Sequence, residues 1–156
     1  MEMQIKCLPM EELAELLMLQ LESDGTARLP VTGYSMMPML RNRTDSVELR
    51  RLDAQPKMGD IIFYRRKNGP FVLHRIVALG DGGYICCGDN QAAPEQVDRE
   101  QVIALVVGYF RKEKRRSLQN PGYRLYKGLW VGLFPLRRYY ISIRRRLGRL
   151  RRRCRR

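Results

Sequence analysis

Histidine occurs once in this chain, at His74, so any chemistry that needs an imidazole has one place to find it. Cysteine is almost as sparse. Cys7, Cys86, Cys87 and Cys154 form no CxxC pair and no His/Cys zinc spacing, which excludes the common structural zinc sites. Cys86 and Cys87 are neighbours on a predicted strand and point to opposite faces, so a disulfide between them is not expected and the thiols read as free. Long apolar runs are missing too. The most helix-like stretch, Met10 to Leu21, is too short and too acidic to span a bilayer, and the Glu2- and Lys6-bearing start has no apolar core of a signal peptide. Neither a spanning helix nor a cleavable signal is read, and there is no internal repeat.

Acid is nearly absent from one end. Residues 1–110 hold 12 Lys and Arg against 15 Asp and Glu, whereas residues 111–156 hold 18 basic residues and only Glu113. The formal charge of +14 therefore describes an appendage and not the body. The 156 residues divide into an N-terminal helix packed on the body (1–27), a body (28–110) and a basic amphipathic appendage (111–156).

Leu13, Leu16, Leu17 and Leu21 form one stripe of a helix over about 9–22, with Glu11, Glu12 and Glu15 near its positive end and a stop at Ser23-Asp24-Gly25. After that the texture becomes strand-like. Strands are predicted over 28–31, 46–52, 61–66, 71–79, 84–87 and 101–110, separated by turns such as Lys57-Met58-Gly59, Asn68-Gly69 and Gly80-Asp81-Gly82-Gly83. This predicts a mainly β, compact antiparallel body. Residues 111–120 have linker chemistry, and Pro135 should kink or divide any helix beyond them.

Three residue types within the body suit acyl transfer. Ser35 follows Gly33 on a turn entered from a strand, where a hydroxyl stands clear of the backbone and nearby N–H groups can face an oxyanion. Gly33 keeps the approach open, and Pro38 restricts the chain beyond. An ordinary loop would use the same residues. His74 lies in Phe71-Val72-Leu73-His74-Arg75-Ile76-Val77, sharing a face with Val72 and Ile76; it fits a shielded base as well as a satisfied core residue. Asp89 in Gly88-Asp89-Asn90 suits a ring-orienting carboxylate or an Asx turn, with Glu95 and Asp98 as further acids nearby. Asp60 reads as a turn stabiliser.

The ordered set resembles the signal peptidase I family. Gly33-Tyr34-Ser35-Met36-Met37-Pro38 looks like that family's nucleophile box, and Gly59-Asp60-Ile61-Ile62-Phe63-Tyr64 like its strand after a Gly-Asp turn. Leu73-His74-Arg75-Ile76-Val77 is similar to its base box, Gly88-Asp89-Asn90 to its Gly-Asp-Asn box, and Val106-Val107-Gly108 to its closing strand. Together they cover about residues 28–110. His74 stands where the common bacterial branch has lysine, as in the endoplasmic-reticulum and spore-former branch. The resemblance implies a coiled all-β body shared with self-cleaving repressor C-terminal domains, and a serine endopeptidase cutting signal or leader peptides after small residues. It implies Ser35 as nucleophile, His74 as base, and Asp89 or Glu95 as the acid, with Asp89 preferred for its shorter reach. Gly33 and Ser35 would form the oxyanion turn, Met36 and Pro38 would touch substrate, and no metal or organic cofactor is implied. The family's usual N-terminal membrane helix is not read here.

The appendage mixes Leu125, Leu129, Trp130, Leu133, Phe134, Leu136, Tyr139, Tyr140, Ile141 and Ile143 with arginines, 11 of them within residues 137–156. Apolar residues beside cations suit a helix lying on an anionic membrane surface, which would make the protein peripheral, on the cytoplasmic face. The same cations could bind nucleic acid or simply be solvated. A peptidase-like module without turnover, binding membrane or nucleic acid through this tail, is the rival reading to an enzyme.

Overall fold

Helix α1 (Met10–Asp24) opens the computed structural model, which describes residues 10–67 and 69–153. Cys7, Cys154 and Asn68, each part of an expectation above, lie outside the described residues. Strands β1 (Thr26–Pro30), β2 (Asp45–Arg50), β3 (Ile61–Arg65), β4 (Phe71–Gly80), β5 (Gly83–Cys87) and β6 (Glu95–Asp98) follow. A single 3-10 turn (Arg99–Gln101) leads into β7 (Val102–Arg111) and β8 (Lys114–Ser117), then helices α2 (Pro121–Gly132) and α3 (Phe134–Arg153).

All strand pairs are antiparallel, in the order β1-β2-β7-β3-β4-β5-β6 with β8 also on β7. The expected β body with an N-terminal helix and a C-terminal helical appendage is thus what the chain forms. Two strands lie where none was expected. β6 is a short edge strand of mixed polarity, and β8 occupies the basic stretch read as linker. The tight turn into β8 uses Lys112 and Glu113 at positive φ, a conformation that no Gly or Asn advertised in the sequence.

Two apolar clusters hold the body. Leu17, Leu21, Leu29, Met36, Leu40, Val47, Leu49, Ile61, Phe63 and Val106 are buried in the larger one, joining α1 and the turn after β1 to the sheet. Ile62, Tyr64, Ile76, Tyr84, Cys86 and Val97 form the smaller. Burying each such side chain stabilises by roughly 1.5–3 kcal/mol. On α1 the buried stripe is Ala14, Leu17 and Leu21, whereas Leu16, expected in it, is exposed. Asn120 caps α2 by accepting from the Gly122 N–H at 2.8 Å, with Pro121 in the first turn. Pro135 stands in the first turn of α3, just past the division it was expected to cause.

Sheet register positions the chemistry. Tyr64 pairs with Val72 and Ile62 with His74, so Tyr64 and His74 are diagonal neighbours on one face. Cys86 lies between Ile76 and Glu95, which brings Glu95 to that same face from two strands away. Arg75 pairs with Cys87 and faces the opposite way.

Candidate active site

Ser35 sits half-buried in a turn between β1 and β2. Gly33 takes φ +86°, a conformation that disfavours any side chain. Its N–H donates to Asn42 Oδ1 at 2.9 Å, so Gly33 shapes the turn and has no amide to spare for an oxyanion. Asn90, beyond β5, clamps the turn from outside. Its N–H donates to the Ser35 carbonyl at 2.7 Å and its Nδ2 to the Tyr34 carbonyl at 3.3 Å. Gly88 is required for this approach, since a Cβ there would stand 2.7 Å from the Ser35 carbonyl oxygen.

Ser35 and His74 line one cavity of about 230 Å³, walled by Leu29, Val31, Met36, Phe63, Phe71 and Leu73. Phe63 and Phe71 stack there with ring centroids 5.6 Å apart. Met36 is therefore at the cavity. Pro38 is not: it lines a separate hollow beside Tyr123 and Tyr126.

His74 is 2% exposed. Its Nδ1 lies 3.0 Å from Tyr64 Oη and 3.0 Å from Glu95 Oε1, while Tyr64 Oη donates to that same carboxylate oxygen at 2.6 Å. Tyr64 already donates its one hydroxyl hydrogen to Glu95, so toward Nδ1 it can only accept, and the carboxylate only accepts. Both neighbours of Nδ1 are thus acceptors, which assigns the ring proton to Nδ1 and leaves Nε2 the lone pair. Arg66 holds the carboxylate from the far side through two bonds, Nε to Oε2 at 2.7 Å and Nη2 to Oε1 at 2.8 Å. Partial burial pushes the Glu95 carboxyl up, but the hydrogen bonds from Arg66 and Tyr64 outweigh it and hold the group at about 2. Burial also pushes the His74 imidazole below its ordinary value, against the pull of Glu95. It pushes the Tyr64 phenol up, reinforced by the bond to Glu95.

The two carboxylates considered for the third position are separated. Glu95 binds the ring, whereas Asp89 is fully buried against Arg75, with bonds of 2.8 Å from both Nε and Nη2. The preference for Asp89 beside the imidazole is therefore corrected. Asp89 lies two residues beyond Cys87, the strand partner of Arg75, and so belongs to the Arg75 side. Asp98 pairs with Lys67, and Asp60 accepts from the Lys57 N–H at 2.9 Å in the turn assigned to it. Cys86 and Cys87 are free and buried, and burial pushes their thiols up to about 12 and about 11.

Sequence reasoning gave no role to Tyr64, Arg66 or Asn90. For Tyr64 a signal existed: positions 62 and 64 alternate along one strand, so Tyr64 shares the face of Ile62, the strand partner of His74. No known protein-family model and no curated protein matches the chain by sequence.

Proposed function

We propose that this protein is a serine endopeptidase of the signal-peptidase type, cutting signal or leader peptides after small residues. Ser35 Oγ attacks the scissile carbonyl as His74 Nε2 takes its proton. The imidazolium that forms is stabilised by Glu95, with Tyr64 and Arg66 fixing the carboxylate, and then returns the proton to the leaving amine. The Ser35 amide, with neighbouring N–H groups, faces the developing oxyanion. The observation that carries this reading is the Nδ1 site of His74. Two acceptors lock the tautomer a base requires, in the wall of the cavity that Ser35 shares.

We infer the place of work from the appendage. Among the described residues no helix is long and apolar enough to cross a membrane. Leu125, Leu129, Leu133, Leu136, Tyr140, Ile143 and Leu147, spaced three or four apart, are all at least half exposed. The bonds from Leu133 N–H to Leu129 and from Arg137 N–H to Leu133 carry the helical ladder across the α2–α3 junction, so the stripe is nearly continuous. Exposed Arg138, Arg144 and Arg146 accompany it. An apolar stripe among cations complements an anionic bilayer surface, where each cation contributes about 1 kcal/mol. We assign the appendage to peripheral membrane binding on the cytoplasmic face.

Ser35→Ala in the full chain tests the enzymatic reading. Cleavage of precursor peptides should fall to background while the thermal midpoint stays near wild type, and a fluorophosphonate probe should label the protein only when Ser35 and His74 are both present. Wild-type turnover by Ser35→Ala would remove Ser35 as the nucleophile, and no labelling of wild type would leave the rival, a binding module without turnover.

A further inference from the structure

The buried Arg75–Asp89 pair is covered by the appendage. From α2, Tyr126 Oη donates to Asp89 Oδ2 at 3.1 Å, and Tyr123 Oη accepts from Arg75 Nη1 at 2.9 Å. From α3, Arg137 reaches in between. Its Nη1 donates to the Asp89 backbone carbonyl at 2.6 Å, and its guanidinium carbon lies 4.9 Å from the Trp130 ring centre and 5.4 Å from that of Phe134.

Arg137 is an expensive residue to place there. It is 9% exposed, and its Nε and Nη2 find no hydrogen-bond partner among the described residues. Burial accordingly pushes its pKa down. A methionine or leucine would fill the same space beside Trp130 and Phe134 without that cost. What they would not supply is the bond to the Asp89 carbonyl, nor the longer ion pair from the same Nη1 to Asp89 Oδ1 at 3.8 Å.

That carbonyl belongs to the same peptide group as the Asn90 N–H, which donates to the Ser35 carbonyl at 2.7 Å. One rigid plane therefore links α3 to the nucleophile turn: Arg137 holds its oxygen and Ser35 receives its hydrogen. A cation on the oxygen fixes the tilt of the plane and polarises the N–H, strengthening the second bond.

We propose that Arg137 is a positioning residue for the Ser35 turn, acting through the Asp89–Asn90 peptide group, so that the appendage completes the active site. The kinetic part rests on the peptidase reading; the mechanical link does not. Arg137→Met keeps the packing stem and removes the donors. In the full chain, amide exchange followed by NMR should show the Asn90 N–H exchanging about ten-fold faster than in wild type, with β2 and β7 unchanged. Arg137→Lys should recover part of that protection, and Arg51→Met, losing a charge at an exposed position of the body, should match wild type. With precursor peptide, Arg137→Met should lower kcat about ten-fold and leave KM within about two-fold, the mark of a misplaced nucleophile. Unchanged Asn90 exchange in folded Arg137→Met, or no recovery with lysine, overturns the proposal. Should Arg137→Met not fold, Arg137→Leu, which also lacks donors, is measured in its place with the same two outcomes. If wild type neither cleaves peptide nor takes the serine probe, the peptidase reading fails, while the exchange comparison still decides the link between Arg137 and Ser35.

Discussion

Glu95 Oε1 lies 3.0 Å from His74 Nδ1, although the two residues come from strands separated by β5. The carboxylate is fixed by Arg66 on one side and Tyr64 on the other before it meets the ring. Such prior fixation is what allows a carboxylate to orient an imidazole, because little motion remains to be lost in the transition state.

Substitution separates the two carboxylates by phenotype. Glu95→Gln should lower kcat by on the order of a thousandfold while the fold survives. Asp89→Asn should instead act on stability, costing about 3–5 kcal/mol, because it leaves the Arg75 guanidinium buried without its counter-ion. Peptide cleavage and urea unfolding on both variants check this; a stable but inactive Asp89→Asn with a fully active Glu95→Gln would reverse the roles.

Acidity should act through the base. His74 works only when neutral, and burial holds its pKa below the ordinary 6.5, so the acid limb of kcat/KM falls below pH 6.5. Glu95 pulls that pKa up, so the residual activity of Glu95→Gln should show its limb at still lower pH. Stability follows the same sign. A depressed His74 contributes stability that is present above 6.5 and lost as pH falls through the folded value. Glu95, moved from 4.5 to about 2, contributes stability present above 4.5 and lost between 4.5 and about 2. A pH–rate profile and thermal melts across this range measure both.

Gly88→Ala should disturb the nucleophile without touching it. The added methyl would press on the Ser35 carbonyl, which the Asn90 bond holds in place. Overpacking of this kind costs about 1–3 kcal/mol, and the shift of Ser35 should lower kcat more than it raises KM. Steady-state kinetics with a melt alongside would show whether the turn moves.

Leu129→Glu together with Leu136→Glu places acid in the exposed stripe of α2 and α3 while leaving the inner face alone. Sedimentation with vesicles rich in phosphatidylglycerol should fall sharply relative to wild type, and wild-type binding should weaken as salt rises. Equal sedimentation of the two proteins would remove the membrane assignment.

The β body was legible because its short apolar runs are separated by turns that carry Gly and Pro. The strand bearing His74 is placed to within one residue of its observed bounds. β8 was hidden because Lys114 to Ser117 are all exposed, so no buried face imposes alternation. The acid was misread for a different reason. Asp89 and Glu95 differ by which strand faces each partner, and register across β4, β5 and β6 is a tertiary fact that side-chain reach cannot replace. Pro38 shows the same limit: nearness to Ser35 in the chain does not bring it to the hollow that Ser35 lines. Arg137 carried no signal, because one arginine among 11 in residues 137–156 looks like any other until one of them is found buried.

A lone imidazole enclosed by a phenol and a carboxylate makes the protein its own spectroscopic reporter. Every histidine resonance comes from the ring at position 74, with no isotope editing or assignment needed to know it. The occupancy of the cavity and the ionisation of its wall can therefore be followed in real time, in the unmodified chain, from a single set of lines.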